Sequence, residues 1–145
     1  IGRCLNNIDK LQLNNLRLIK HDAIEVLEQM IGANLLDRIL LFFPDPWHKK
    51  RHHKRRIVNR RFRDLAHRVL KPGAAIHIAT DWQDYAESIA GQFLDDDRFV
   101  NMGNAAGHIE RPDYRPLTRF EQRGLRLGHG VWDLLFSKAI DKPVR

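Results

Sequence analysis

The sequence predicts an α/β fold with a largely parallel sheet, and three observations predict it. Strand-like and helix-like segments alternate along the 145 residues, without repeat, linker or low-complexity tract. Residues 38–43 carry the continuous apolar run Ile39-Leu40-Leu41-Phe42-Phe43, the pattern of a strand buried on both faces. Three strand-like segments each run into an aspartate: Asp22, Asp45 and Asp81. Parallel strands set such carboxylates along one sheet edge, where ligands bind in open α/β sheets.

The elements follow in order. Residues 1–10 read as the end of a helix, and residues 16–20 as a short strand. Asp22 caps the next helix, with Glu25 at the capping-box position and Ile24, Leu27, Met30 and Ile31 on its apolar face. The strand at 38–43 halts at Pro44-Asp45-Pro46-Trp47. Val58, Phe62, Leu65 and Val69 recur at helical spacing, and Lys71-Pro72-Gly73 is a stop signal. Residues 74–79 form another strand, followed by a helix with Tyr85, Ile89 and Phe93 on one face. Asp95-Asp96-Asp97 reads as a solvated turn, because three adjacent carboxylates do not converge on one metal ion. Residues 99–102 form a strand and 103–116 a loop. Thr118 and Glu121 open a short helix with a capping-box pattern, and residues 131–140 make the last strand.

Apolar residues make up 43% of the chain, enough for one buried core, and the length does not suit two domains. The single cysteine, Cys4, excludes an internal disulfide framework and a cysteine-built zinc site. The longest apolar run has five residues, far short of the about 18 that span a bilayer. With no secretory signal legible, the chain reads as cytoplasmic, without membrane association.

The charge is concentrated. The net charge is +7, and residues 49–63 hold nine Lys and Arg without one acid. All 18 Asp and Glu lie outside that segment, against 16 of the 25 Lys and Arg. A field of this kind attracts polyanions, nucleic acid above all; the plainer alternative is a solvated charged face. His48, His52 and His53 sit among cations that repel a metal, so no metal site is expected.

The residues at the predicted sheet edge carry two readings each. Asp22 and Asp81 are helix caps or ligand-binding carboxylates. Trp47 is core packing or a face for a stacked base. Asp45, between two prolines, is harder to assign to capping. Arg115, Thr118, Arg119, Glu121 and Arg123 offer anion donors and one acceptor near a helix start, or else an ordinary capped surface loop.

Three stretches, FPDPWHKKRHHKRRIV (from Phe43), ATDWQDYAE (from Ala79) and RPLTRFEQRGLRLGHGVWDLLF (from Arg115), closely resemble the bacterial tRNA (guanine-N7-)-methyltransferases. The match runs in order through nearly the whole chain. The resemblance implies a class I S-adenosylmethionine-dependent methyltransferase with a Rossmann-like sheet. It implies methylation of N7 of guanine 46 in the tRNA variable loop, so tRNA is the partner. Asp22 would bind S-adenosylmethionine, and Asp45 would be the catalytic acid while also touching the cofactor. Lys49, Asp81, Thr118, Arg119, Phe120 and Glu121 would contact the guanosine and its surroundings. Arg51, His52, His53, Lys54, Arg55 and Arg56 would face the RNA, with His52 and Arg55 foremost.

One departure is large. The family's first two strands and its glycine-rich cofactor loop have no counterpart in the chain. Residues 1–145 therefore read as a single, incomplete methyltransferase domain, with a gap inside its sheet. Weak or absent cofactor binding and activity are expected of the chain alone, with association through its open strand edges. A non-enzymatic RNA-binding fragment is the alternative. A magnesium nuclease using the three aspartates is a third reading, disfavoured because Pro-Asp-Pro has little freedom to build a metal shell.

Overall fold

The computed structural model describes residues 2–126 and 128–140, with the backbone alone for Phe120. Helix α1 spans Gly2–Lys10 and is followed by a turn and a stretch without regular structure. Helix α2 (Ala23–Glu25) runs straight into a π-helical turn, Val26–Met30. Strand β1 (Leu36–Phe42) leads to a 3₁₀ helix, Lys50–Arg55, and then to α3 (Arg60–Val69). There follow β2 (Leu70–Thr80), α4 (Gln83–Leu94), β3 (Phe99–Asn101), β4 (His108–Ile109), α5 (Arg119–Arg126) and β5 (Trp132–Lys138).

The sheet order is β1-β2-β5-β3, with β4 also on β5. β1 and β2 are parallel, joined through α3. Every pairing of β5 is antiparallel, which corrects the expectation of a largely parallel sheet. The position of β4 supplies the reason. Trp132, the first residue of β5, pairs with Thr80, the last of β2. Ile109, the last residue of β4, pairs with Asp133 at the start of β5, so the connection through α5 leaves and returns at the same edge of the sheet. The chain therefore enters β5 from the edge where β2 ends.

Alternation along β2 sorts its side chains. Ile76 and Ile78 enter the core with Leu134 and Phe136 of β5. Against them pack Phe62 and Ala66 of α3, and Tyr85, Ile89 and Phe93 of α4. Phe93 stacks on Phe136 at 4.8 Å and meets the edge of Phe99. The other face of β2 carries His77, fully buried and in edge contact with Phe42 and Tyr114. Helices thus cover one face of the sheet, and the segment around Tyr114 covers part of the other.

Several expectations are corrected. Residues 16–20 have no regular secondary structure and join no ladder, and Leu16, Leu18 and Ile19 are exposed. No strand among the described residues offers them hydrogen bonds. β1 is an edge strand for the same reason, and Leu40 is 49% exposed where burial on both faces was expected. Met30 is exposed because the π turn breaks the 3.6-residue spacing that placed it inward. Helix α3 ends before the Lys-Pro-Gly signal, which lies within β2 at a register slip between Leu36↔Leu70 and Arg38↔Ala75. A bulge accommodates a proline without a donor, and Gly73 takes φ 78° there. The loop at 103–116 contains two-residue β4. Asp95 and Asp97 are exposed in a turn as expected, but Asp96 between them is not solvated. It is buried, receives Arg98 Nε at 2.8 Å and lies 2.7 Å from Arg63 Nε.

No helix among the described residues is long and apolar enough to cross a membrane. No cluster of metal-ligating side chains occurs among them either.

Candidate functional site

The parallel pair brings the carboxyl ends of β1 and β2 side by side. Phe43 extends the pairing by donating its N–H to Ala79 O at 2.7 Å. The chain then turns through Pro44-Asp45-Pro46. Phe43 and Trp47, at the two ends of this turn, both have left-handed backbone (φ 53° and 45°). Bulky aromatic residues rarely adopt that region, and such strain gathers where a chain is held for a purpose. Asp45 is exposed, and its Oδ1 accepts the Trp47 N–H at 3.1 Å, which locks the turn.

Beside the turn lies a cavity of about 560 Å³, within the usual range for small-molecule sites. Its walls are mainly rings: Phe43, His48, Trp82, His129 and Trp132, with Asp81 as the carboxylate. His48 rests on Trp82 at 4.3 Å. Of these residues only Asp81 was singled out for substrate contact from the sequence. For Trp82 and Trp132 alone the sequence held a partial signal, which the direction of β5 completes. Trp82 falls two residues past the end of β2, and the antiparallel entry of β5 puts Trp132 at the same edge.

The basic segment adjoins this edge and divides into two populations. Lys49, Lys50, Arg51, Lys54 and Arg55 are exposed, with His52 and His53 half-buried among them. The Arg55 guanidinium lies 4.9 Å over Trp47, and His52 meets the same ring edge-on. Trp47 is therefore neither deep core nor a bare stacking face. Arg56 is buried at 4% exposure. It donates to Pro46 O at 2.8 Å and to Asp84 Oδ2 at 2.5 Å, and stacks over Tyr85. The Arg56 hydrogen bond holds the Asp84 carboxyl below its ordinary value. Arg56 thus ties the Pro-Asp-Pro turn to α4 and lies outside the exposed cationic face. Arg61 pairs with Glu28 and Arg63 with Asp96.

The remaining residues are scattered. Asp22 caps α2, accepting Ile24 N–H at 2.7 Å and Glu25 N–H at 3.4 Å. Glu25 lies against His21 at 2.6 Å. Thr118 Oγ1 accepts Glu121 N–H at 3.1 Å at the start of α5, and Arg119 is exposed. The Phe120 side chain lies outside the described residues. Glu121 is buried, with both oxygens on the Arg115 guanidinium at 2.7 Å. Arg115, expected as a surface anion donor, is 1% exposed. It also grips Asp133 through Nε at 2.6 Å and Nη2 at 2.8 Å. His77 Nε2 lies 2.7 Å from the same Asp133 carboxylate, and Tyr114 OH 3.0 Å from His77 Nδ1. Burial raises the Asp133 carboxyl, but bonds from His77 and Arg115 outweigh it and hold it below the ordinary value.

The aromatic cavity lies at the carboxyl edge of the sheet, the place where ligands bind in open α/β folds. The fold is that of the S-adenosylmethionine-dependent methyltransferases. It is similar to a SAM-dependent O-methyltransferase from Thermotoga maritima, with TM-score 0.51 and 14% identity over 96% of this chain and 46% of that one. The chain belongs to the methyltransferase family whose model, described as "Putative methyltransferase", matches residues 1–134. Similar relatives are tRNA (guanine-N(7)-)-methyltransferases. That of Methylobacillus flagellatus is 51% identical over 95% of this chain and 57% of its own length. That of Paraburkholderia xenovorans is 53% identical over 95% and 52%. The chain thus spans little more than half the length of these relatives.

The residues present do not complete a cleft for an adenosyl cofactor. Asp22, whose carboxylate is engaged in capping, flanks a small apolar pocket of about 270 Å³ between His21, Ala23, Leu27 and Leu40. Asp45 flanks the aromatic cavity instead. Between these two places the outer edge of β1 is open, with no pairing strand among the described residues.

Proposed function

We propose that this chain is the RNA- and base-binding portion of an S-adenosylmethionine-dependent tRNA (guanine-N7-)-methyltransferase acting at guanine 46 of the variable loop. The observation that carries this reading is the exposed cationic 3₁₀ helix abutting an aromatic cavity with a carboxylate in its wall. The names of the similar relatives support it.

Each part has a physical role. Lys49, Arg51, Lys54 and Arg55 neutralise phosphates of a folded RNA and bring it to the cavity mouth, and His52 and His53 offer it hydrogen bonds. A purine enters between the rings, and stacking holds any base. Asp81 accepts the N1–H and N2–H donors of guanine, which adenine does not offer as a pair. Guanine N7 carries an in-plane lone pair and no proton, so no base has to unmask it, and positioning supplies most of the rate. The ring gains positive charge as N7 is alkylated, and the Asp45 carboxylate, fixed by its own turn, stabilises that charge. We assign Thr118, Arg119 and Phe120 to contacts with the surroundings of the guanosine. The domain is cytoplasmic and incomplete in this chain.

A second reading applies to the chain by itself. The open β1 edge and the separation of Asp22 from Asp45 favour a fragment that binds RNA without turning over. One experiment separates the two. The chain alone is titrated calorimetrically with S-adenosylmethionine, and is then grafted into the Methylobacillus relative in place of the matched stretch. The chain alone should bind tRNA but no cofactor at micromolar concentration, while the graft methylates tRNA at guanine N7. Asp45→Ala in the graft should lower turnover about 100-fold or more with tRNA affinity nearly intact. An inactive but folded graft, or an active Asp45→Ala graft, overturns the proposal.

A further inference from the structure

We propose that Arg115 is a positioning residue for the base cavity, and that Glu121 acts through Arg115. This rests on the base-binding reading above. Arg115 does not line the cavity, but it joins three elements that wall it. Its guanidinium lies 5.6 Å over Phe43, which lines the cavity at the end of β1. It forks onto Asp133, the neighbour of the cavity residue Trp132 at the start of β5. On its other side it grips Glu121 in the first turn of α5, and that helix leads to the cavity residue His129. His129 is held in turn by its N–H on Gly124 O at 3.0 Å.

The geometry explains why arginine is required. A buried cation is costly unless its donors are satisfied. Four of the five Arg115 donors meet two carboxylates at 2.6–2.8 Å, in two planar forks pointing in different directions. A planar fork fixes the angle between its partners as well as the distance. The angle between α5 and β5 is set in this way, and with it the gap between His129 and Trp132. A lysine ammonium is a point charge on a flexible stem and cannot fix that angle. His77 and Tyr114 extend the network behind Asp133, so that carboxylate is held from two sides. Glu121 has both oxygens turned onto Arg115, so its reach to a substrate is indirect in this arrangement.

The test uses this chain and two variants, Arg115→Lys and Glu121→Gln; the second keeps the side-chain shape and one carbonyl acceptor should the first fail to fold. Guanosine 5′-monophosphate is titrated by the fluorescence of the cavity tryptophans, polyuridylate by anisotropy, and backbone hydrogen exchange is followed by mass spectrometry. Guanosine monophosphate affinity should fall about tenfold in folded variants, with polyuridylate affinity changed less than about twofold. Exchange should quicken about tenfold in residues 119–126 and stay unchanged in residues 83–94. Unaltered nucleotide binding, unaltered α5 exchange, or equal loss of both ligands overturns the proposal. If the wild-type chain binds no guanosine monophosphate, the base-binding reading fails, and the exchange data alone decide whether Arg115 positions α5.

Discussion

Arg55 and Arg56 are neighbours of one residue type with opposite fates. Arg55 is exposed and lies over Trp47, whereas Arg56 is buried against Pro46 O, Asp84 and Tyr85. Charge counting treats them alike, but desolvation does not. Arg55→Ala should reduce the salt slope of tRNA binding by about one and leave the melting temperature nearly unchanged. Arg56→Ala should cost on the order of 2 kcal/mol in urea unfolding, because the Pro46 carbonyl loses its donor and Tyr85 its cover. Equal effects of the two substitutions on stability would refute the division. A phosphate contact by Arg56 would require it to leave Pro46, releasing the turn that presents Asp45.

At the scale of elements, α3 shows how a local pattern and a distant partner cooperate. Asn59 caps its start by accepting Phe62 N–H at 3.1 Å. Its end is satisfied from across the molecule, where the buried Lys138 of β5 donates to His67 O at 2.8 Å and Leu70 O at 3.0 Å. Asn59→Ala should therefore lower stability by about 1 kcal/mol, read from the denaturant midpoint at constant slope. The helix also sets the distance between the basic segment and β2, so a frayed start would loosen the 3₁₀ helix before it. β1 lacks such support. Its outer edge is unpaired and Leu40 is exposed, the state in which strands recruit foreign strands.

For the molecule as a whole, the buried charges make stability depend on acid. Bonds from Arg98, then burial working against them, set the Asp96 carboxyl at about 2 against an ordinary 3.8. Asp133 is depressed as well. A depressed carboxyl stabilises the fold fully above the ordinary value, since the unfolded chain takes up the proton first. That contribution is lost as pH falls from about 4 toward about 2. Urea midpoints measured from pH 6 down to pH 2 should decline below about pH 4, and Asp96→Asn should flatten part of the decline. A decline unchanged by that substitution would place the acid sensitivity elsewhere. The two acidic hubs stand on different elements: Asp96 ties the end of α4 to α3 through Arg63, and Asp133 ties β5 to α5 through Arg115.

The sequence by itself determined the alternation of elements, the helix caps at Asp22 and Thr118, and the cores of α3 and α4. These depend on spacing and on side chains a few residues apart. It also marked Asp45 and Asp81 as strand-end carboxylates, because a strand followed by a turn is local information. The direction of β5 was not legible, since it depends on β4 ending against the start of β5, a pairing between residues far apart in the chain. For the same reason Trp132 and His129 could not be placed beside Trp82. Nor was the fate of each charge legible. Arg56, Arg63, Arg115 and Glu121 look like surface residues in a one-dimensional pattern. Whether a charge meets water or a buried partner depends on contacts between residues far apart in the chain, and only the folded arrangement decides them.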